Sequence, residues 1–390
     1  MVDSILWQSE ASDVTLIDIP RSIAAAQGTV QHPCHELLSS NEPLKVPFRS
    51  NEPKSATAKT KLCAGDVEQE LQREYANICV EALAQVKAKW SGDWCLPRLS
   101  VATGKPAAKR KHDDERPKAH MNATRVSQPL ELYKPLLQGP DDDAQSRVLT
   151  VTNHGITASA TLVANLNERP IVLPAEQRDG RKTFDFILLD PPWPNRSVKR
   201  THKTAGSTYN TAANLRDVED LLLGMDLDML MADECLIGVW ITNKQAIRAL
   251  ILDEGGLFDS WGVQLVEEWI WVKTTVQGKP VMPIDGLWRK PYEVLLLGRN
   301  QKSNCSHNTN GSAEVDIRRR VLMGVPDLHS RKPCLKELVE PLLSSNDSYR
   351  ALEVFARYLV AGWWSWGNEC IKFNSGECWE EPEAQEQSTD

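Results

Sequence analysis

The chain has 390 residues, 41% of them hydrophobic and 25% charged, enough for one large domain with a smaller companion or for two domains. A formal net charge of −8 excludes a uniformly basic coat, so any grip on nucleic acid has to come from a local patch. Nine cysteines, an odd number without a C-x-x-C pair, argue against a disulfide scaffold and a structural zinc site, and no apolar run reaches the roughly 18 residues of a membrane span.

Residues 1–60 are rich in Ser, Pro, Asn and Glu and read as a largely disordered or loosely docked segment; their acidic start, without a basic n-region, is not a secretory signal. Residues 61–127 form a helical region with a basic linker. Within it, 67–90 predict a helix with Val67, Leu71, Tyr75, Ile78, Ala82 and Val86 as its stripe and Asp66 as N-cap, packed on its own domain or, as the minority reading, on a partner. The linker 102–120 is an aperiodic charge run. Pro106 to Lys111, PAAKRK, is either a nuclear-import cluster or plain solvated linker, so the expected compartment is the nucleus, with cytosol or mitochondrion as alternatives.

From residue 128 to 375 the pattern is α/β. Apolar runs at Phe184–Leu189, Cys235–Ile241, Glu268–Val272, Val294–Leu297 and Leu352–Phe355 alternate with amphipathic stretches at Arg216–Ala232, Lys244–Leu252 and Cys334–Leu343. This predicts a mostly parallel sheet covered on both faces. The acidic tail, 376–390, is expected to fray.

The first run ends in Asp190-Pro191-Pro192-Trp193. A carboxylate and two proline carbonyls at the carboxyl edge of a strand make a rigid cradle of acceptors, because proline brings no N–H. Such a cradle suits an exocyclic NH2 on a nucleobase, whose two N–H bonds it can hold while the nitrogen lone pair faces an electrophile. Trp193 reads as a flat wall on which the base stacks. The bland alternative is a stiff turn closing a strand. Immediately downstream, Arg196, Lys199, Arg200 and Lys203 supply the local basic patch the composition calls for; their natural role is phosphate contact, and the alternative is an exposed loop. Lys273 ends another apolar run at the same edge and fits a substrate or a structural role equally well.

The tetrapeptide resembles the signature of the adenine amino-methyltransferases. Four ordered segments, RKTFDFILLDPPWPNRSVKR (181–200), KPYEVLLLGR (290–299), HSRKP (329–333) and LEVFARYLVAGWWSWGNE (352–369), are similar to the methyltransferase-like protein four branch of that family. The resemblance implies a Rossmann-like fold that depends on S-adenosylmethionine, with its motifs permuted so that the catalytic turn precedes the cofactor strand. It implies that Asp190, Pro191, Pro192 and Trp193 are catalytic. It further implies that Glu353, Phe355 and Arg357 shape the cofactor pocket, that Asn368 and Glu369 meet the ribose hydroxyls, and that Lys332 pairs with the methionine carboxylate. The substrate it implies is a 2'-O-methyladenosine in small nuclear RNA, with DNA adenine as the alternative and a monomer as the favoured state. Two departures stand out: Leu359 occupies a place where RNA-methylating relatives commonly carry histidine, and Leu173–Gly180 is too short to align with the usual adenine loop. An inactive scaffold or a small-molecule amine methyltransferase would be the competing functions; the intact tetrapeptide argues against the first and the basic loop against the second.

Overall fold

The structure is a computed structural model and describes residues 3–29, 32–49, 66–100, 147–153, 156–162, 183–194, 214–286, 289–301, 317–328, 331–343, 349–374 and 376–380. The basic cluster 106–111, the loop 173–180, the cations at 196, 199, 200 and 203, and the last ten residues of the tail lie outside these.

Eleven of the described strands form one sheet. In chain order they are β1 (Ile5–Gln8), β2 (Val14–Ile17), β5 (Arg147–Asn153), β6 (Ile156–Leu162), β7 (Phe184–Leu189), β8 (Met231–Ile241), β9 (Val263–Lys273), β10 (Tyr292–Asn300), β11 (Arg318–Gly324), β12 (Ala351–Val354) and β13 (Trp363–Gly367). Their order across the sheet is β1-β2-β11-β9-β10-β8-β7-β12-β13-β6-β5. A smaller sheet pairs β14 (Trp379–Glu380), β3 (Leu37–Ser40) and β4 (Leu99–Ser100). The centre, β8-β7-β12-β13-β6, is parallel throughout; the apolar runs at β7, β8 and β12 predict this, whereas β6 and β13 carry no such expected run. β1 and β5 run antiparallel to their neighbours at the two ends of the sheet, and β10 does so within it: it is antiparallel to both β8 and β9, which brings its first residues to the edge where its neighbours end.

Alternation along the strands divides the core in two. Ile187, Leu189, Val239, Ile270, Val294 and Val354 face one layer, covered by α2 (Asp66–Lys89), α3 (Leu215–Leu223), α4 (Gln245–Leu252) and α5 (Leu257–Ser260). Phe186, Leu188, Trp240, Trp269, Trp271, Leu295 and Ala351 face the other, covered by α1 (Ile19–Ala25), α6 (Lys336–Val339) and the segment ending at Trp379.

Several expectations need correction. Residues 3–29 and 32–49 are not a loose segment. β1 and β2 extend the main sheet past β11, and Val14, Leu16, Ile17, Ile19 and Ile23 are buried. The segment looked polar because its apolar islands are short, and their pairing partner β11 lies some 300 residues away in sequence, where no local pattern can announce it. The tail is docked as far as residue 380, with Trp379 buried and its indole donating to the Phe373 carbonyl at 2.8 Å. The helix expected over 67–90 is α2, and it packs on its own domain. Its buried face runs through Tyr75, Cys79, Ala82, Leu83 and Val86, a slight rotation from the expected stripe, and Asp66 lies within the helix. The stretch 216–232 breaks after Leu223: Gly224 ends the helix and Asp226 turns at φ 49° before β8 begins at Met231. The stretch 334–343 shortens to α6 and one 3-10 turn, where Pro341 withholds an N–H.

Candidate active site

β7 and β12 lie side by side at the centre of the sheet although more than 160 residues separate them in sequence. Leu189 is in register with Val354, so Asp190 and Phe355 leave the sheet together, tied by the Asp190 N–H donating to the Val354 carbonyl at 3.3 Å. The turn at Asp190 and the turn at Phe355 therefore open into one edge, at the carboxyl ends of central parallel strands, where open α/β sheets bind ligands.

The turn itself is clamped. The Trp193 N–H donates to the Pro191 carbonyl at 2.8 Å, folding the chain back. The Trp193 indole then donates to the Trp240 carbonyl at 2.7 Å, and the Lys244 ammonium reaches the Pro194 carbonyl at 2.6 Å. Trp193 is only 7% exposed and belongs to the core layer under α3 and α4. The expected stacking wall is thus an anchor instead: the indole N–H finds its partner inward, on the end of β8, and the ring follows it. Among the described residues no donor reaches the Pro192 carbonyl.

Alternation places Glu293, Lys273, Trp240, Trp271 and Glu353 on the α1 side of the sheet together with Asp190. Lys332 lies across this group. Its ammonium is 2.9 Å from Asp190 Oδ1 and 3.1 Å from Glu293 Oε2, and it stands 5.3 Å from the Trp240 ring centroid. Lys273 completes a chain of alternating charge by pairing with Glu293 Oε1, 4.7 Å above the Trp271 ring. Burial alone would lift the Glu293 carboxyl; the Lys332 and Lys273 ammoniums outweigh it and hold the group at about 2. Lys332 loses by desolvation but is raised overall by Asp190 and Glu293. Glu353 shows the opposite balance: burial and the Asp190 charge push it up to about 8, against partial relief from Arg357 and Lys332. Beneath, Trp240 and Trp271 meet edge to face at 6.0 Å, and the buried Trp271 indole N–H and Thr242 hydroxyl have no partner among the described residues.

At the next strand end, Phe355 adopts φ 65°, which a bulky residue rarely does and which costs roughly 1–3 kcal/mol. Its N–H donates to the Trp366 carbonyl at 2.6 Å. Gly367, at φ 150°, allows this crossing, since a Cβ there would lie 3.1 Å from the Phe355 Cα. The strain turns the chain so that the Arg357 guanidinium comes back over the end of β13 to Glu369, at 3.4 Å; Lys372 also pairs with Glu369, at 2.7 Å. Asn368 is half-buried beside them. Leu359 is buried and its N–H donates to the Asn374 side chain at 2.7 Å, so the position is part of the core.

The structure therefore gathers Asp190, Pro191, Pro192, Lys332, Glu353, Phe355, Arg357, Asn368, Glu369 and Lys273 at one edge. Glu293, which pairs with both Lys332 and Lys273 at this edge, is the residue that sequence reasoning passed over. Its signal was an acid at the second position of a strand, directly before the apolar run Val294–Leu297 and after the K-P-Y of a matched segment.

Residues 184–369 match the MT-A70 family. Over 386 residues, 97% of this chain and 94% of the relative, the sequence is 33% identical to the N6-methyladenosine RNA methyltransferase MTA1 of Cryphonectria parasitica. The chain belongs to the MT-A70 family. MT-A70 proteins are adenine-N6 methyltransferases, and the acceptor-only turn at Asp190 is the feature of this member that fits such chemistry. The MTA1 protein of Pyricularia oryzae is 31% identical over the whole of both chains, so this MT-A70 protein shares its N-terminal region, too, with full-length relatives. The human N(6)-adenine-specific methyltransferase METTL4 is 39% identical over 198 residues, 50% of this chain and 39% of that protein.

Proposed function

We propose that this MT-A70 protein transfers a methyl group from S-adenosylmethionine to N6 of adenosine in RNA. The observation that carries the reading is the register of β7 with β12, which delivers Asp190 and the Phe355–Arg357 turn to the same opening.

The residues present fit the donor. Glu369, at the end of the strand beside β12, offers a carboxylate that accepts two O–H bonds from a ribose diol. Lys332 suits a carboxylate, and Glu353 suits the ammonium of an amino acid. The unpartnered indole and hydroxyl beneath them suit a polar ligand. When bound, the donor supplies an electrophilic methyl on a sulfonium.

The chain's own groups prepare the acceptor. Lys332 occupies Asp190 Oδ1, which leaves Oδ2 and the Pro192 carbonyl to accept the two N–H bonds of the adenine amine. Held this way, the nitrogen keeps its lone pair out of the ring and aimed at the electrophile, a stabilisation felt mainly in the transition state. The carboxylate also stands ready for the proton the nitrogen sheds after transfer. Trp193 and Lys244 fix the turn, so little reorganisation remains.

RNA is preferred over DNA because the relatives matching nearly full length are named RNA methyltransferases. The finer target, a 2'-O-methyladenosine in small nuclear RNA, follows from the resemblance of the four motifs. Methyl transfer from labelled donor to matched RNA and DNA oligonucleotides, each with and without a 2'-O-methyl on the target adenosine, tests this. Label on RNA, strongest with the 2'-O-methyl, is the expected result; label on DNA alone would overturn it.

A further inference from the structure

The segment Lys45-Val46-Pro47-Phe48-Arg49 lies fully on the surface, with Val46 65% and Phe48 55% exposed. It is not a stray loop. The Phe48 N–H donates to the Val281 carbonyl at 2.8 Å, and the Leu44 carbonyl accepts from the Val276 N–H at 3.0 Å, so the strap lies across the loop that follows β9. That loop is rigid: the Thr275 N–H bonds Lys279, Gly278 turns at φ 66°, and Trp94 packs so close to Gly278 that a Cβ would lie 2.3 Å from its ring. The loop in turn is fastened to the active edge, since the Val281 N–H donates to the Lys273 carbonyl at 3.0 Å. Two strand-like spacings, about 10 Å in all, therefore separate the Phe48 backbone from that of Lys273, the outer member of the ion chain ending at Asp190.

We propose that this strap is a stacking platform for a single-stranded stretch of the substrate flanking the target adenosine. The proposal rests on the nucleic-acid reading above and adds where the neighbouring nucleotides lie. A fixed, exposed aromatic is what a base seeks once it leaves a helix, and stacking tolerates any base. Its cations complement phosphates: Lys45 and Arg49 flank Phe48, Lys279 sits on the supporting loop, and all three are exposed without a carboxylate partner among the described residues. In a chain of net charge −8, an aromatic interleaved with unpaired cations beside the active edge selects a polyanion over an apolar partner.

The test uses the full chain and fluorescently labelled single-stranded RNA, comparing an oligonucleotide confined to the target nucleotide and its immediate phosphates with one extended on both sides. Phe48→Ala should weaken binding of the extended oligonucleotide about tenfold, and Phe48→Trp should restore it. Neither should change binding of the short one or of S-adenosylmethionine. Replacing Lys45, Arg49 and Lys279 with Ala should lower the slope of log affinity against log salt by about 0.7 for each phosphate no longer neutralised. Equal affinity of wild type and Phe48→Ala for the extended oligonucleotide would overturn the platform. So would a wild-type dimer that Phe48→Ala dissociates without loss of RNA affinity, because the patch would then join two copies. A wild type that binds and methylates no oligonucleotide at all would instead overturn the nucleic-acid reading itself.

Discussion

Two acids on neighbouring strands, Glu268 of β9 and Glu293 of β10, each sit between two basic side chains. Glu268 lies mid-strand on the face that α2 covers and is wholly buried. Arg248 meets Oε1 at 2.5 Å and Arg319 meets Oε2 at 2.9 Å, while the Tyr75 hydroxyl donates to Oε2 at 3.1 Å and Arg319 also reaches Glu74. Glu293 lies on the other face at the strand's first residues, 27% exposed, and its partners are lysines. Guanidinium forks hold fixed geometry and do not release protons, whereas an ammonium on a flexible stem can exchange one carboxylate for another. The same ratio of charges thus makes a rivet between α2 and the sheet in one place. In the other it makes a set of groups free to re-pair when an anion or an amine arrives. Position along the strand, interior against carboxyl edge, decides which.

Glu268→Ala should separate these roles most sharply. It strands two arginines beside a buried tyrosine and should cost about 3–5 kcal/mol of stability, read as a lower urea midpoint at unchanged m. Methyl transfer per folded molecule should survive. Glu293→Gln should do the reverse, slowing transfer more than it destabilises; a reversed ranking would break the comparison. Asp190→Asn should lower transfer at saturating donor by about 100-fold or more, while donor affinity and the urea midpoint stay close to wild type. Lys332→Ala and Glu369→Ala should each weaken donor affinity by about 1.5–3 kcal/mol in calorimetric titration; unchanged affinity in both would move the donor pocket away from these strand ends.

The same comparison extends to pH. Glu293 stands at about 2 against an ordinary 4.5, so its contribution to stability is present above pH 4.5 and is lost as pH falls toward 2. Glu353, raised from 4.5 to about 8, has the opposite sign: its contribution is full below 4.5 and declines as pH rises through 8. Glu353→Gln should therefore flatten the alkaline decline between pH 5 and 8 and leave the acid limb unchanged, and Glu293→Gln should flatten the acid limb alone. Urea titrations across both windows read this directly, and identical profiles in the variants would remove the two carboxyls as the cause.

β7 was legible because its code is local: it spans Phe184–Leu189 as its apolar run predicts, and an acid with two prolines stops it. The β12 motif stood out by resemblance; its strand begins and ends one residue earlier than expected, at Ala351–Val354, and ends at the same edge as β7. What could not be read was whatever depends on partners far away in sequence. β2 finds β11, Trp193 turns inward to the Trp240 carbonyl, and Lys332 reaches Asp190 and Glu293 across the edge. Each of these is a choice among several chemically equal partners that only the assembled sheet makes. Trp193 is instructive, because a tryptophan beside an acceptor cradle suits stacking and anchoring equally until a carbonyl is seen within reach of its N–H.

The central claim is that the turn at Asp190 presents acceptors to the amine of adenine. The most direct measurement is to locate the methyl group: single-stranded RNA is incubated with methyl-labelled S-adenosylmethionine and wild type or Asp190→Asn, digested to nucleosides and resolved by mass. The account predicts N6-methyladenosine as the labelled nucleoside from wild type and none from the variant. Label on a ring nitrogen or on the ribose, or equal N6-methyladenosine from Asp190→Asn, would contradict it.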